Sequence, residues 1–497
     1  MTQFYNDASI GRTAEAPVAA ASAFPLPQSE TATKRLALGW RVAGGAGTGL
    51  LLAACFPPLS QPWLLPLAVA ALLGLLSGVT VRPAFYIGLS FGFALFASAL
   101  FWLTNLFGVS AISLWAILAA FPALFAALFV WLRGRLPRVP IWLLAAVVWT
   151  GVEYYRSEPF VLNFGWLGLG YAVVNAPALA VCASWFGSYG LSFALVAFSA
   201  LLLRLAIHPG KRPLAGGLIL LWLLILWIPR PVPPPSRPMQ VRLVQANSED
   251  DAHLWGLSHP TPGARADVIV WPEYSLVSDP RRIPLYWQKL EGVARENRAY
   301  FLFGAKEELD PRDDTRFRNT AFLLDPSGRL IGKHTKNHTV HFIRDGVGGT
   351  QARALPTALG KLGIAICFDM DFPDVARRLA ADGAEVFLAP SDDPPEWGPI
   401  QPEQHRLLFQ MRAAECGRWL ARADVAGGTS VVAPTGREIL RVSTRSPAVL
   451  EARLGRETVQ TLYVRGGWRF GPACLWALLV LCAWAALPVR WRGFRGS

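Results

Sequence analysis

Charged residues are scarce in this sequence of 497 residues: Asp, Glu, Lys and Arg make up 16% of it, whereas 53% of the residues are hydrophobic. Soluble domains contain about 25% charged residues, so a wholly soluble protein is excluded. The apolar residues are concentrated at 43–229 and 471–488, and the region between has an ordinary soluble composition. The composition therefore predicts a membrane protein with one soluble domain inserted before its last span.

Cysteine is also sparse outside the apolar segments. Only Cys367 and Cys416 lie in the soluble region, which argues against a disulfide scaffold. The apolar segments contain almost no charges, so a coupled transporter is disfavoured. The net charge of +13 comes from Lys and Arg in loops beside these segments, and it indicates membrane topology rather than nucleic-acid binding. The N-terminus lacks the basic start and apolar core of a cleaved signal peptide.

About eight apolar segments are predicted to span the membrane, at residues 43–58, 63–79, 83–105, 110–132, 139–155, 178–206, 213–229 and 471–488. Lys and Arg occur in alternate loops, whereas the loops at 60–62 and 105–111 contain neither. The positive-inside rule then places both termini in the cytoplasm and the soluble domain outside it. The fold class predicted is a polytopic α-helical membrane domain with an α/β extracytoplasmic domain.

The predicted domains follow from these changes in composition. They are a disordered tail at 1–33, a membrane domain of seven spans at 34–229, a Pro-rich linker at 230–238, a catalytic domain at 239–465, and a last span with a basic cytoplasmic tail at 466–497. Within the soluble domain, runs such as MQVRLVQ, VIVW, YFLFGA and VFLAP predict strands, and RRIPLYWQKLEGVARENR predicts a helix. This alternation predicts a layered α/β domain.

The stretch from Gly360 to Asp374, GKLGIAICFDMDFPD, places Cys367 at the end of a predicted buried strand, just before a predicted helix. A thiol in this position is a candidate nucleophile, because backbone N–H groups at a helix start stabilise a thiolate or an oxyanion. The alternative is that Cys367 is a small buried core residue.

A thiol nucleophile needs a base and a cation or N–H donors for the oxyanion. Glu273 ends the apolar run of VIVWPE, and GKHTKNH contains Lys333 and Lys336. A glutamate in a turn or a lysine in a loop is more often a solvated charge. The order of Glu, Lys and Cys at successive strand ends favours a catalytic group.

These residues resemble the nitrilase superfamily and, within it, the membrane-embedded apolipoprotein N-acyltransferase family. The WPE box matches at Trp271 to Glu273, the lysine element at Lys336 and His338, and the cysteine strand at LGIAICFDMDFPD. Further similar stretches, among them FPPLSQPWL, NFGWLGLGY and QHRLLFQMRAAECGRW, extend the resemblance from about Leu50 to Leu487.

The resemblance implies an αββα sandwich and a two-step acyl transfer without a cofactor. Glu273 is then the general base, Lys336 the oxyanion-stabilising cation and Cys367 the acyl-accepting nucleophile. The donor is a membrane phospholipid, and the acceptor is the N-terminal amine of a diacylglyceryl-cysteine lipoprotein. The implied location is the bacterial inner membrane, with the catalytic domain on the periplasmic side. Supporting roles follow for three further residues, Phe368, Asp369 and Asp345.

Substrate contacts are expected from Trp255, Tyr274 and Trp166, the last in an aromatic, Gly-rich loop at 153–171. The alternative for that loop is a plain membrane-surface anchor. His334, His338 and His341 lie close together, but no consistent ligand spacing accompanies them, so no metal site is predicted.

The chain departs from the family in the lysine box, which continues as VHFIRDGVGG instead of Pro-Phe-Gly-Glu, and in having Asp369 where the family has Glu. These departures leave three alternatives open: acylation of a different amine, a membrane-tethered amidase or nitrilase, and a non-catalytic scaffold.

Overall fold

A computed structural model describes residues 28–229, 231–246, 251–260, 263, 265–310, 312–442 and 444–488. Most of the predicted tail at 1–33 and the basic C-terminal segment lie outside the described residues. The first helix begins at Gln28, whereas the sequence analysis continued the disordered tail to residue 33. From Arg41 onwards the described residues pack as one compact unit.

The region before the linker is helical. Its helices are α1 Gln28–Ala53, α2 Leu65–Leu75, α3 Val81–Ala99, α4 Leu103–Phe107, α5 Ala111–Arg135, α6 Ile141–Ser157, α7 Pro177–Ala180, α8 Ala183–Ala206 and α9 Arg212–Trp227. Among the described residues, five helical segments are long and apolar enough to cross a membrane: Val81–Ala99, Leu103–Arg135, Ala183–Ala206, Pro209–Trp227 and Gly467–Ala486. The helical membrane domain is confirmed, and the count of eight spans stays a prediction.

Helices α3 and α5 pack closely because glycines remove side-chain bulk between them. A Cβ added to Gly88 would lie 2.5 Å from the carbonyl oxygen of Pro122, and one added to Gly92 would lie 2.8 Å from Cα of Ala119. Small residues at such contacts let membrane helices approach and gain van der Waals packing.

The soluble domain contains two six-stranded sheets. Its strands are β1 Met239–Gln245, β2 Val268–Val270, β3 Tyr300–Asp310, β4 Asp313–Leu324, β5 Leu330–Thr335, β6 Leu355–Thr357, β7 Gly360–Ile364, β8 Val386–Pro390, β9 Leu420–Ala423, β10 Ser430–Val432, β11 Glu438–Arg441 and β12 Ala448–Leu454. The strand orders are β12-β1-β2-β3-β4-β5 and β11-β10-β9-β8-β7-β6. The predicted strands in YFLFGA, VFLAP and their neighbours are confirmed.

The two sheets pack face to face, with helices on both outer faces. The helices of this part are α10 Asp251–Leu257, α11 Pro284–Asn297, α12 Pro373–Ala381, α13 Ile400–Cys416 and α14 Leu462–Arg465, and the apolar helix α15 Phe470–Ala486 follows them. One apolar cluster joins the inner sheet faces, including Leu243 and Ile364. A second joins α11 to its sheet through Val293, and a third joins α12 and α13 to the other sheet through Leu379. The αββα sandwich is therefore confirmed.

Parallel pairing brings the catalytic candidates to one edge. β1, β2 and β3 are mutually parallel in one sheet, as are β7, β8 and β9 in the other. The carboxyl ends of parallel strands face the same edge of a sheet. Glu273 follows β2 and Cys367 follows β7. Lys336 follows β5, which runs in the same direction as β3 because both are antiparallel to β4, and it therefore reaches the same edge.

The membrane helices touch the soluble domain near this edge. The Nε1–H of Trp102 donates to Oε1 of Gln404 on α13 at 3.1 Å. The amide of Gln404 in turn donates to the carbonyl oxygens of Pro57 at 3.0 Å and Ala99 at 2.7 Å. Because these groups are buried and satisfy one another, the contact fixes the soluble domain against the helical region.

Candidate active site

Cys367 lies in a tight turn directly after β7. Its φ is +44°, a left-handed conformation that costs a non-glycine residue about 1–3 kcal/mol and that clusters at functional sites. The thiol lies 3.8 Å from the carbonyl oxygen of Asp392, and Glu273 lines the same cavity. The turn continues as a 3₁₀ helix to Asp371, and α12 begins at Pro373, slightly later than the sequence predicts.

Glu273 and Lys336 form a buried ion pair beside the thiol, with Nζ and Oε1 2.8 Å apart. Both side chains are 2% exposed, so they interact with little solvent screening. Asn319 on β4 donates from Nδ2 to the same Glu273 oxygen at 2.5 Å, which leaves the other carboxylate oxygen for the thiol or for a substrate.

Asp345 provides a second carboxylate for the buried lysine. Its Oδ2 lies 2.8 Å from Nζ of Lys336 and accepts from the backbone N–H of Val340 at 2.9 Å. Its Oδ1 accepts from Asn319 at 2.9 Å and from the hydroxyl of Tyr274 at 2.8 Å. The lysine therefore lies between two acids, one on each side of the cavity floor.

Burial and charge set the protonation states of the three catalytic candidates. Burial raises the pKa of Glu273, Lys336 opposes this effect, and the net shift is upward. For Lys336, burial acts to lower the pKa, but Glu273 and Asp345 outweigh it and hold the pKa well above its usual value. Burial and the charge of Glu273 raise the pKa of the Cys367 thiol well above its usual value. The resting nucleophile is thus a neutral thiol beside a carboxylate with enhanced basicity.

Asp369 connects the nucleophile turn to the loop that carries the lysine. Its carboxylate lies 2.8 Å from Nε2 of His334 and accepts from the backbone N–H groups of Asn337, His338 and Ile366 at 2.8, 3.0 and 3.1 Å. Burial acts to raise the pKa of Asp369, but these hydrogen bonds and His334 lower it overall. The side chain is completely buried, so it orients both loops without facing the substrate.

A second buried network lies behind Cys367 and reaches the membrane region. Oδ1 of Asp393 lies 2.7 Å from Nδ1 of His405, whose Nε2 lies 2.9 Å from Oδ1 of Asp371. Trp166, from the loop before α7, donates from Nε1 to Asp371 at 2.5 Å and stacks on the His405 ring. Burial acts to lower the pKa of His405, but the two carboxylates raise it to about 9.

Cys367, Asp393 and His405 place potential metal-ligand atoms within 4.8 Å of one another. The donor set does not favour a metal, because Arg422 already pairs with Asp393 and a protonated imidazole has no lone pair to offer. The cluster is better described as a charge network that supports the nucleophile turn.

A single cavity connects the catalytic candidates with the membrane helices. It encloses about 990 Å³, part of it open to solvent. Glu273, Lys336 and Cys367 lie at its base. The rest of the wall is largely apolar, and its members from the helical region are Trp102, Leu103, Leu106, Phe107, Leu114, Leu162, Phe164 and Trp166. Such a wall suits a hydrocarbon chain that enters from the bilayer.

The other predicted contact residues divide into two groups. Tyr274 and Trp166 line the cavity, as does Phe368, for which a supporting role is predicted; the roles of all three stay predictions. Trp255 does not: its ring packs edge-on against Trp271 at 5.0 Å, outside the cavity. The prediction for Trp255 depended on an approximate match of position in the sequence. In the structure this tryptophan of α10 packs against the apolar cluster on the outer face of its sheet.

The remaining candidates have separate partners. His334 pairs with Asp369, as described above, whereas His338 lies 2.8 Å from Asp374 and His341 lies 2.6 Å from Oδ1 of Asn163. Lys333 forms an ion pair with Glu307, away from the cavity.

The sequence analysis missed several residues that the fold brings to the site. Asn319 bridges both acids from β4, and Asp392 and Asp393 follow β8 directly. The sequence did contain an indication of Asp392 and Asp393, because polar residues that follow a buried strand of a parallel sheet tend to lie at the edge where the ligand binds. His405 carried no such signal, because it lies within a regular helical pattern.

Comparison with known proteins adds an independent observation. Residues 48–201 match the family model of the apolipoprotein N-acyltransferase N-terminal domain, and residues 240–463 match that of the carbon-nitrogen hydrolases. The chain is 30% identical to the apolipoprotein N-acyltransferase of Azotobacter vinelandii, in an alignment that covers 90% of this chain and 96% of the relative. It belongs to the apolipoprotein N-acyltransferase family.

A second relative has the same family name. The family member from Geobacter metallireducens is 29% identical, with 88% of this chain and 94% of the relative aligned. Among solved structures, an amidase from Nesterenkonia sp. aligns with 47% of this chain and 95% of its own at 22% identity, with a TM-score of 0.37.

The departure from the family pattern in the lysine box has a structural explanation. Although VHFIRDGVGG replaces Pro-Phe-Gly-Glu, the loop still presents a carboxylate to Lys336, from Asp345. In this loop Phe342 adopts a left-handed backbone conformation, with a φ of +66°, and the chain turns there before it reaches Asp345. The shorter acid at Asp369 likewise reaches all of its donors.

Proposed function

We propose that this protein transfers a fatty acyl chain from a membrane phospholipid, through a thioester on Cys367, to the N-terminal amine of a diacylglyceryl-cysteine lipoprotein. The observation that carries the proposal is the cavity in which Cys367, Glu273 and Lys336 meet an apolar wall built by the membrane helices. A soluble amide would need no such wall. The names of the relatives, apolipoprotein N-acyltransferases, support the same substrate class.

In the first step, the Cys367 sulfur attacks an ester carbonyl of the phospholipid while Glu273 takes the thiol proton. An S–C bond forms, and the developing oxyanion is stabilised by the Lys336 ammonium and the backbone N–H of Phe368. The C–O bond then breaks, and Glu273 returns the proton to the departing lysophospholipid oxygen. The raised pKa of Glu273 favours both proton transfers.

In the second step, the amine nitrogen attacks the thioester carbonyl carbon. Glu273 accepts a proton from the nitrogen, the C–S bond breaks, and the proton passes to the Cys367 sulfur. The products are an amide and the free thiol. Exclusion of water by the apolar wall protects the thioester between the two steps.

We also propose that the protein lies in the bacterial inner membrane, with the catalytic domain on the periplasmic side and both termini in the cytoplasm. Alternation of Lys and Arg among the loops supports this orientation. Reporter fusions after residues 238 and 488 test it: we expect periplasmic activity only at the first position. The reverse result would contradict the orientation.

The test of the activity is intact mass of the purified protein after incubation with phospholipid. We expect a gain of one fatty acyl chain that is absent from Cys367→Ala and present in Cys482→Ala. Cys482 is a matched control because it lies in α15, far from the cavity lining. A synthetic diacylated lipopeptide is then expected to remove the acyl group and to carry it as an amide.

Each other outcome has a defined meaning. A thioester that water removes as fast as the lipopeptide does would indicate a membrane-tethered hydrolase. A stable thioester that the lipopeptide leaves in place would indicate a different amine acceptor. No mass gain in the native protein would contradict acyl transfer from phospholipid.

A further inference from the structure

Asp392 is an acid of the cavity that the mechanism above does not use. It follows β8, two residues after Pro390, and its backbone carbonyl oxygen lies 3.8 Å from the Cys367 sulfur. Asp392 lines the cavity together with Glu273 and Lys336. An acidic residue therefore stands next to the sulfur that carries the acyl chain.

Each of the neighbouring acids has a cationic partner. Glu273 and Asp345 share Lys336, and Asp393 pairs with Arg422. In the part of the chain that the structure describes, Asp392 has no ion-pair partner, and no group donates a hydrogen bond to its carboxylate.

The ionised form of Asp392 lacks a positive charge that would stabilise it. Burial and the negative charge of Glu273 raise the pKa of Asp392 well above its usual value, and Lys336 opposes this only in part. A carboxylate in such a place is stabilised by a cation that brings its own hydrogen-bond donors. The described residues supply no such cation at this position, and the ammonium group of a ligand in the cavity would provide it.

We propose that Asp392 binds the primary ammonium group of the acyl acceptor and holds its nitrogen beside the Cys367 thioester. This inference rests on the proposed function, because it assigns a residue to the second substrate. A phospholipid head group is another source of an ammonium group. The acceptor is favoured because its nitrogen must approach the carbon bonded to the sulfur, and Asp392 lies next to that sulfur.

The proton balance of aminolysis agrees with this role. The bound ammonium loses one proton to solvent and becomes a nucleophilic amine. Its nitrogen then attacks the thioester carbon, and a second proton passes through Glu273 to the departing sulfur. Asp392 neither gains nor loses a covalent bond; it recognises the charged form of the amine and positions the nitrogen.

The test uses the full-length protein, loaded with an acyl chain from phospholipid, and measures how fast each nucleophile removes it. One nucleophile is a diacylated lipopeptide with an N-terminal ammonium, and the other is hydroxylamine, which is uncharged at neutral pH. Rates are expressed per acylated enzyme, so that differences in loading do not matter. For Asp392→Asn we expect the ratio of lipopeptide to hydroxylamine rates to fall about tenfold, the effect of losing about 1.4 kcal/mol of binding.

The matched control is Glu396→Gln. Glu396 lies in the same loop after β8 and carries the same charge, but it is exposed and outside the cavity lining. We expect it to leave the ratio unchanged. An equal fall in Glu396→Gln would mean that general surface charge attracts the acceptor, and this would overturn the role of Asp392.

Two further results are informative. If Asp392→Asn slows both nucleophiles equally, or neither, Asp392 does not recognise the ammonium, while the acyl transfer itself stands. If Asp392→Asn instead changes the relative rates of loading from phosphatidylethanolamine and phosphatidylglycerol, the ammonium belongs to the donor head group, and the assignment to the acceptor is overturned. A native protein that never acquires an acyl chain would contradict the proposed function and this inference with it.

Discussion

Replacement of Asp369 by Asn is expected to loosen the connection between the nucleophile turn and the lysine loop. The carboxylate accepts hydrogen bonds from three backbone N–H groups and pairs with His334, and no part of it is exposed. Asparagine keeps one acceptor oxygen, but its NH₂ group would face either His334 and the N–H of Ile366, or the N–H groups of Asn337 and His338. At least one buried donor would then lose its acceptor.

The expected cost follows from the chemistry of a buried, hydrogen-bonded charge. Removing one partner of such a group costs about 3–5 kcal/mol, and the oxygen that Asn retains places this variant near the lower figure. For a domain of roughly this size, a loss of about 3 kcal/mol lowers the melting temperature by about 6–12 °C.

The assay is thermal unfolding in detergent, followed by tryptophan fluorescence, with Asp374→Asn as the control. Asp374 lies in the same segment and also pairs with a histidine, His338, but its side chain is 34% exposed. Because solvent screens this pair, we expect its loss to cost less than about 1 kcal/mol. Equal melting temperatures for the two variants would refute the reasoning.

The pH dependence gives a second check on Asp369. Its pKa is lowered in the folded protein, so the unfolded chain takes up the proton first as the pH falls. The stability contributed by Asp369 is then complete above the unfolded pKa of about 3.9 and is lost as the pH falls through the folded pKa. The difference between native protein and Asp369→Asn should therefore be largest at neutral pH and shrink below pH ~4.

Three further predictions concern the cavity. Asp345→Asn should slow thioester formation by about tenfold to a hundredfold, because the substitution removes one of the two carboxylates that pair with Lys336. The rate is measured from the intact mass of the protein as a function of time. Because the pKa of Cys367 is raised, its alkylation by iodoacetamide should be slow at neutral pH and accelerate as the pH rises. In Glu273→Gln, which removes the neighbouring negative charge, the acceleration should begin at a lower pH. An unchanged pH profile would contradict the effect of Glu273 on the pKa of Cys367. Leu114→Trp should fill the membrane end of the cavity and shift the donor preference to shorter acyl chains, whereas Ile112→Trp, on the exposed face of the same helix, should not.

The sequence alone determined the division of the chain and the positions of its reactive groups. Runs of apolar residues indicate burial in lipid or in a sheet, so the helical region, a layered α/β domain and the helix α13 were predicted from local pattern, whereas the αββα arrangement was implied by the family resemblance. Glu273, Cys367 and the pair Lys333 and Lys336 were predicted from their places at strand ends, and the resemblance favoured Lys336. Strands β6, β11 and β12 were not predicted; each lies at the edge of its sheet.

Only the tertiary structure decided which polar groups share the site. Asp345 reaches Lys336 because of the path of an irregular loop, and Asn319 reaches both acids because of the register of β4. Trp166 meets Asp371 across 205 positions of sequence, where the membrane region contacts the soluble domain. Such contacts depend on how distant elements pack. A local pattern carries no information about a partner that lies hundreds of residues away, and for that reason the free carboxylate of Asp392 emerged only from the folded cavity.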